Sequence, residues 1–195
     1  MSSKLGRMYG GCLRWSALAG VASMVALVLF AHSGHAIVNP THSICPGLYF
    51  SRPPGALRHG MVVTFCPDEV QHAGEIVRRG YLPKGPCPSG SAMIMKRVAG
   101  LPGDHYSVTD DGVFVNGVAI SATRPMGEDP KGRKMPYFRV RDRIVGTDEV
   151  LVTTDGSSMY SRYAYDSRYY GAIKRSQIVE RAWLVMPWLG FGRIM

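Results

Sequence analysis

The chain has 195 residues, enough for one domain of ordinary size and a short appendage. At 46% hydrophobic and 19% charged it can bury a core, which excludes wholesale disorder, and only one stretch is apolar enough to cross a bilayer, which excludes a multi-pass transporter. The 23 Lys and Arg outnumber the 14 Asp and Glu for a net charge of +9, a surplus that suits anionic lipid or an acidic partner and specifies neither.

Residues 1–36 carry Lys4, Arg7 and Arg14 and no acid, and the run from Trp15 to Ala31 holds no charge. A basic flank, an apolar run and small residues at Gly34 and Ala36 describe a secretory signal cleaved after Ala36. With its flanks the same run also approaches the ~20 residues of a membrane-spanning helix. Both alternatives keep the basic flank inside and place everything after Ala36 outside the cytoplasm. The expected division is therefore 1–36 as signal or anchor and 37–195 as the working domain. Cys12 precedes the apolar run, so it is no lipoprotein cysteine.

Short β-like runs follow: Gly47 to Phe50, Met61 to Phe65, Ala92 to Ala99, Tyr106 to Thr109, Val113 to Ile120, Glu149 to Thr153 and Ile178 to Met186. Asp110-Asp111-Gly112 and Asn116-Gly117 are hairpin signals between alternating apolar residues. One helix is expected, with Asp68 as cap, Val70, Ala73 and Val77 on one face, Arg78 and Arg79 in the last turn and Gly80 as the stop. Residues 122–136 form a polar loop rich in proline and glycine. The C-terminal run around Trp183, Trp188 and Phe191 is too short to span a bilayer and reads as a last strand with an interfacial tail. The fold class is mainly β, with one short helix, carried on an N-terminal transmembrane or signal helix.

Exported chains keep disulfides. Cys66 and Cys87 each precede a proline and bracket the helical insertion, so a Cys66–Cys87 bridge is the economical pairing. Cys45 is left as a small buried hydrophobe or a free thiol. No CxxC or HxxxH spacing marks a zinc site.

Three features carry chemistry. Ser43 lies just past the apolar segment in a stretch stiffened by Pro40 and Pro46, although taken alone it reads as a loop serine. Lys96 shares a strand face with Ile94 and Val98, because residues two apart on a strand point the same way. A lysine there either snorkels from an edge or is buried, and burial favours the neutral amine. Deprotonating an ordinary lysine at pH 7 costs roughly 4.6 kcal/mol, so burial that offsets this cost makes a base. Asp166, Ser167 and Arg168 form a polar cluster among tyrosines, readable as a structural ion pair or as part of a site.

The motif KRVAGLPGD, opened by Lys96, resembles the general-base box of type I signal peptidases, and the later D-S-R-Y-x-G resembles their last box. Within that superfamily NPTHSICPGLYF, the FCP…CP insertion and YDSRYYGAIKRSQI are similar to the TraF-type branch of conjugative-transfer peptidases. The likeness runs over about residues 38 to 180. It implies a signal peptidase-like β domain and a serine endopeptidase with a Ser–Lys dyad: Ser43 as nucleophile, Lys96 as general base and Asp166 as third residue, with Arg168 supporting it. It also implies Thr41 as an oxyanion donor beside the Ser43 N–H, small substrate side chains in pockets lined by Ile44 and Ile94, and no cofactor or metal. Two departures stand out: Cys45-Pro46 occurs where the branch has proline first, and Ala164 stands where signal peptidases have a serine that bonds the lysine.

The implied partners are a pilin-like or signal-peptide-bearing protein, membrane lipid, and the conjugation or type IV secretion machinery. The implied location is the inner membrane with the catalytic domain in the periplasm, or the periplasm itself if residues 1–36 are removed. The alternatives are a general type I signal peptidase and a non-catalytic periplasmic pilus-assembly protein. Nucleic acid is not an expected partner: residues 131–134 and Arg139, Arg141 and Arg143 read as a solvated loop and one strand face.

Overall fold

The computed structural model describes residues 18–29, 36–156 and 159–188, with side chains from 161 onward in the last stretch. Its backbone divides into two units, Met1–Ala36 and Ile37–Met195. In the first, residues 18–29 form helix α1. Both ends of the apolar run from Trp15 to Ala31, and Cys12, lie outside the described residues. Among the described residues no helix is long and apolar enough to cross a membrane.

The second unit is mainly β. Its elements are β1 (Ala36–Asn39), β2 (Gly47–Arg52), β3 (Val62–Phe65), α2 (Ala73–Arg78), β4 (Ile94–Gly100), β5 (His105–Thr109), β6 (Gly112–Val115), β7 (Val118–Ala119), β8 (Val140–Ile144), β9 (Glu149–Thr153), α3 (Ser167–Tyr170), β10 (Ile173–Lys174) and β11 (Ile178–Pro187). A seven-stranded sheet runs β1-β2-β11-β3-β4-β9-β10, and a four-stranded sheet runs β7-β6-β5-β8. The last strand therefore sits inside the large sheet, antiparallel to both β2 and β3. Asn116 and Gly117, both at positive φ, make the β6–β7 turn that their sequence announces.

Alternation along β4 separates two apolar clusters. Ile94 and Val98 join Val63, Phe65, Val152 and Tyr169 in the larger one. Met95 packs instead with Ile44, Tyr49, Val62 and Ala182. Ile44 and Ile94 thus belong to different clusters and do not form one pocket wall.

The helical insertion differs from expectation in detail. A 3-10 turn, Pro67–Glu69, precedes α2, and Ile76 is buried whereas Val77 is exposed. Asp68 accepts the Ser89 N–H at 2.6 Å, so it ties the insertion to its own return loop and caps no helix. Cys66 and Cys87 are joined as a disulfide across that insertion, and Cys45 is free and half-buried. In the 122–136 loop, Asp129 is buried and accepts from Tyr81 Oη at 2.7 Å, Arg133 Nε at 2.7 Å and the Lys131 N–H at 2.9 Å. From Trp183 to Met186 and at Trp188 the end of β11 stays exposed, with Trp183 edge-on to Phe50 at 5.1 Å. Phe191 lies outside the described residues.

Candidate active site

The bend between β1 and β2 carries Ser43, and its backbone is gripped from two sides. Asn39, buried at the end of β1, donates through Nδ2 to the carbonyls of Thr41, Ile44 and Cys45 at 3.2–3.3 Å. Its Oδ1 accepts the Thr41 N–H at 3.1 Å and Thr41 Oγ1 at 2.6 Å. From the far side, residues just past β9 complete the hold. Thr154 Oγ1 donates to the Ser43 carbonyl at 2.6 Å, the Asp155 N–H reaches the same oxygen at 3.3 Å, and Asp155 Oδ2 accepts the Cys45 N–H at 3.0 Å. Tyr49 Oη donates to the Cys45 carbonyl at 2.6 Å. A short bend with this many side-chain bonds to its main chain leaves its serine little freedom of direction.

Lys96 comes to that serine from β4. It pairs across the sheet with Val63 and is only 4% exposed. Its Nζ donates to Ser43 Oγ at 2.9 Å and to the Met95 carbonyl at 3.3 Å. Burial pulls its pKa down from 10.5 to about 8, while the charge of Asp166 pulls it up and that of Arg168 pushes it down again. Lysine tuning therefore needs no serine at position 164. The Ala164 carbonyl instead accepts from Arg168 at 2.7 Å.

Asp166 and Arg168 are fully buried at the start of α3, which Asp166 caps by accepting the Arg168 N–H. The two carboxylate oxygens receive the guanidinium fork at 2.8 and 3.0 Å. Arg168 also donates to the carbonyls of Ser161, Ala164 and Ala122 at 2.7–3.2 Å, so its charge is paired and its donors are occupied. Asp166 Oδ2 further accepts the Thr154 N–H at 3.0 Å, and its hydrogen bonds do not include Lys96.

The structure thus brings Ser43 and Lys96 into contact and sets Asp166 and Arg168 behind them. Thr41 is exposed, with its hydroxyl proton directed to Asn39. On the Met95 side a cavity of about 330 Å³ opens beside the bend, lined by Cys45, Tyr49, Gly60, Val62, Arg97 and Trp183. Asn39, Thr154 and Asp155 were not singled out from sequence. The one signal was their place, one ending the strand before the serine and two directly following a clear apolar strand.

A family model described as signal peptidase, peptidase S26, matches residues 12–188. The plasmid transfer protein TraF of Escherichia coli is 35% identical over 175 residues, covering 90% of this chain and 96% of that protein. The conjugal transfer protein TraF of Agrobacterium tumefaciens (strain 15955) is 31% identical over 172 residues, covering 85% and 90%. A signal peptidase I from Leptolyngbya laminosa is 27% identical over 175 residues, covering 84% of this chain and 73% of its own length.

Proposed function

This chain belongs to the signal peptidase S26 family, and from that premise we propose that it is a membrane-associated serine endopeptidase with a Ser43–Lys96 dyad that processes a pilin-like exported protein for conjugative transfer. The observation that supports the dyad most is the 2.9 Å contact between Lys96 Nζ and Ser43 Oγ, made by a lysine whose burial lowers its pKa to about 8. A neutral amine in that position accepts the serine proton as the hydroxyl attacks the scissile carbonyl. The tetrahedral intermediate collapses to the acyl-enzyme as the ammonium gives its proton to the leaving amine, and the Lys96 amine again serves as base for the second step. The oxyanion is met by the Ser43 N–H, with Thr41 Oγ1 joining only if it turns away from Asn39. Substrate enters as an added strand, its small side chains toward the Met95 face where Ile44 and Tyr49 sit. Water or the substrate's own amino terminus resolves the ester, giving a linear or a head-to-tail cyclic product. The names of the TraF relatives support the conjugative setting, and the charge asymmetry of residues 1–36 supports a periplasmic domain held at the inner membrane.

The test is mass spectrometry of a co-expressed small exported pilin-like protein, in cells carrying wild type or Ser43→Ala. Wild type should yield a trimmed product, one water lighter than the linear chain if the ester is closed by the substrate itself, and Ser43→Ala only precursor. Identical species in both strains would remove Ser43 as nucleophile and favour the non-catalytic assembly reading.

A further inference from the structure

We infer that Thr154 is a positioning residue through which Asp166 acts on Ser43, an inference that rests on the Ser–Lys reading above. Thr154 is 1% exposed, and its two donors point to opposite neighbours. Its N–H goes to Asp166 Oδ2 at 3.0 Å, and its Oγ1 goes to the Ser43 carbonyl at 2.6 Å. Asp166 is itself held by the Arg168 fork, and Arg168 is fastened to loop carbonyls on three sides. An unbroken run of hydrogen bonds therefore leads from a fully buried ion pair to the main chain of the serine.

The Ser43 carbonyl sets the plane of the peptide bond that follows the serine, and that plane fixes Ser43 ψ. With Asn39 holding the next two carbonyls and Asp155 the Cys45 N–H, rotation of the Ser43 carbonyl is the backbone motion left to swing the Ser43 Cα–Cβ bond away from Lys96, which no choice of χ1 rotamer would make good. Thr154 Oγ1 opposes that rotation with the shorter of the two bonds to that oxygen; the other, from the Asp155 N–H, is 3.3 Å. Asp166 lacks a hydrogen bond to Lys96, so its directional influence on the site runs through Thr154 while its charge acts on the lysine only from a distance. Threonine suits the task because its hydroxyl is presented from a stiff, β-branched side chain.

The experiment uses full-length protein in vesicles and a quenched peptide with an Ala-x-Ala junction, comparing wild type, Ser43→Ala, Thr154→Val and Thr154→Ser. Valine keeps the shape and removes the donor; serine keeps the donor. Thr154→Val should lower kcat about 30- to 100-fold per folded molecule with KM within about 2-fold, the size expected for a displaced reacting group. Thr154→Ser should stay within about 5-fold of wild type. Neither should move the acid limb of the pH profile, because the burial of Lys96 and the charges of Asp166, Arg168 and Asp155 that set its pKa stay as they are. A valine variant within about 3-fold of wild type overturns the inference, and so does an acid limb shifted by valine, which would mean that Thr154 acts on the lysine. Should valine fail to fold, the serine variant decides: folded and as slow as valine is expected to be, it overturns the inference. Wild type no faster than Ser43→Ala sinks the Ser–Lys reading itself, whereas a dead Ser43→Ala beside a fully active Thr154→Val sinks the inference alone.

Discussion

A lysine held at 4% exposure with a pKa of about 8 costs the native state stability whenever it is charged. Between pH 8 and its ordinary 10.5 the unfolded chain binds more protons than the folded one, so stability rises with pH across that window and is lowest below it. The penalty at neutral pH is about 3 kcal/mol. Lys96→Met should therefore melt at a higher temperature than wild type at pH 7, lose that advantage above about pH 10.5, and abolish cleavage. In wild type kcat/KM should rise with pH through about 8. A methionine variant that melts lower at pH 7, or a flat activity profile between pH 6 and 9, would contradict the burial argument. That Ser43 and Lys96 belong together was legible because Lys96 opens one motif and Ser43 lies inside another, each with a distinctive neighbourhood. Asn39 and Thr154 were not, since neither an amide that holds an irregular bend nor a hydroxyl that bonds a carbonyl far along the chain leaves a periodic or compositional trace.

At the scale of elements, what was legible followed from apolar alternation. β4, β5 and β9 bury alternate or successive apolar residues and appear close to where the pattern places them. β8 reads VRDRI, an exposed strand at the edge of the small sheet, legible as the strand face of Arg139, Arg141 and Arg143 and not from any apolar period. β1 and β10 are too short to show one. The α2 region misled because Val70, Ala73 and Val77 suit a single helix, whereas the chain breaks at His72, which has φ 64°, and re-enters as a helix that buries Ile76. Behind the site, Gly171 ends α3 with φ 77°, and a Cβ there would lie 2.6 Å from Phe138 Cζ. Gly171→Ala combines backbone strain with a collision against a ring and should destabilise by about 2–4 kcal/mol. Chemical denaturation would check this, and a loss under about 0.5 kcal/mol would show that the ring yields freely.

Over the whole molecule, the exposed apolar end of β11 is the feature that the charge and composition of the chain alone do not explain. Trp183, Val185, Met186 and Trp188 leave the sheet uncovered on a basic protein, a combination suited to the headgroup region of an anionic bilayer. Replacing Trp183 and Trp188 by serine in the full chain should weaken its retention on vesicles containing anionic lipid in high salt. Unchanged flotation of that variant would assign all retention to residues 1–36.

The place of β11 between β2 and β3 has a temporal consequence. The strand that follows Ser43 and the strand that precedes the Lys96 strand share no ladder; each pairs with β11. Among the described strands that connecting piece is the last to be made. Ser43 and Lys96 can both have emerged while the large sheet still lacks its seventh strand. The ladder that links the Ser43 side of the sheet to the Lys96 side is thus closed only once residues 178–187 have been made, a delay written into strand order.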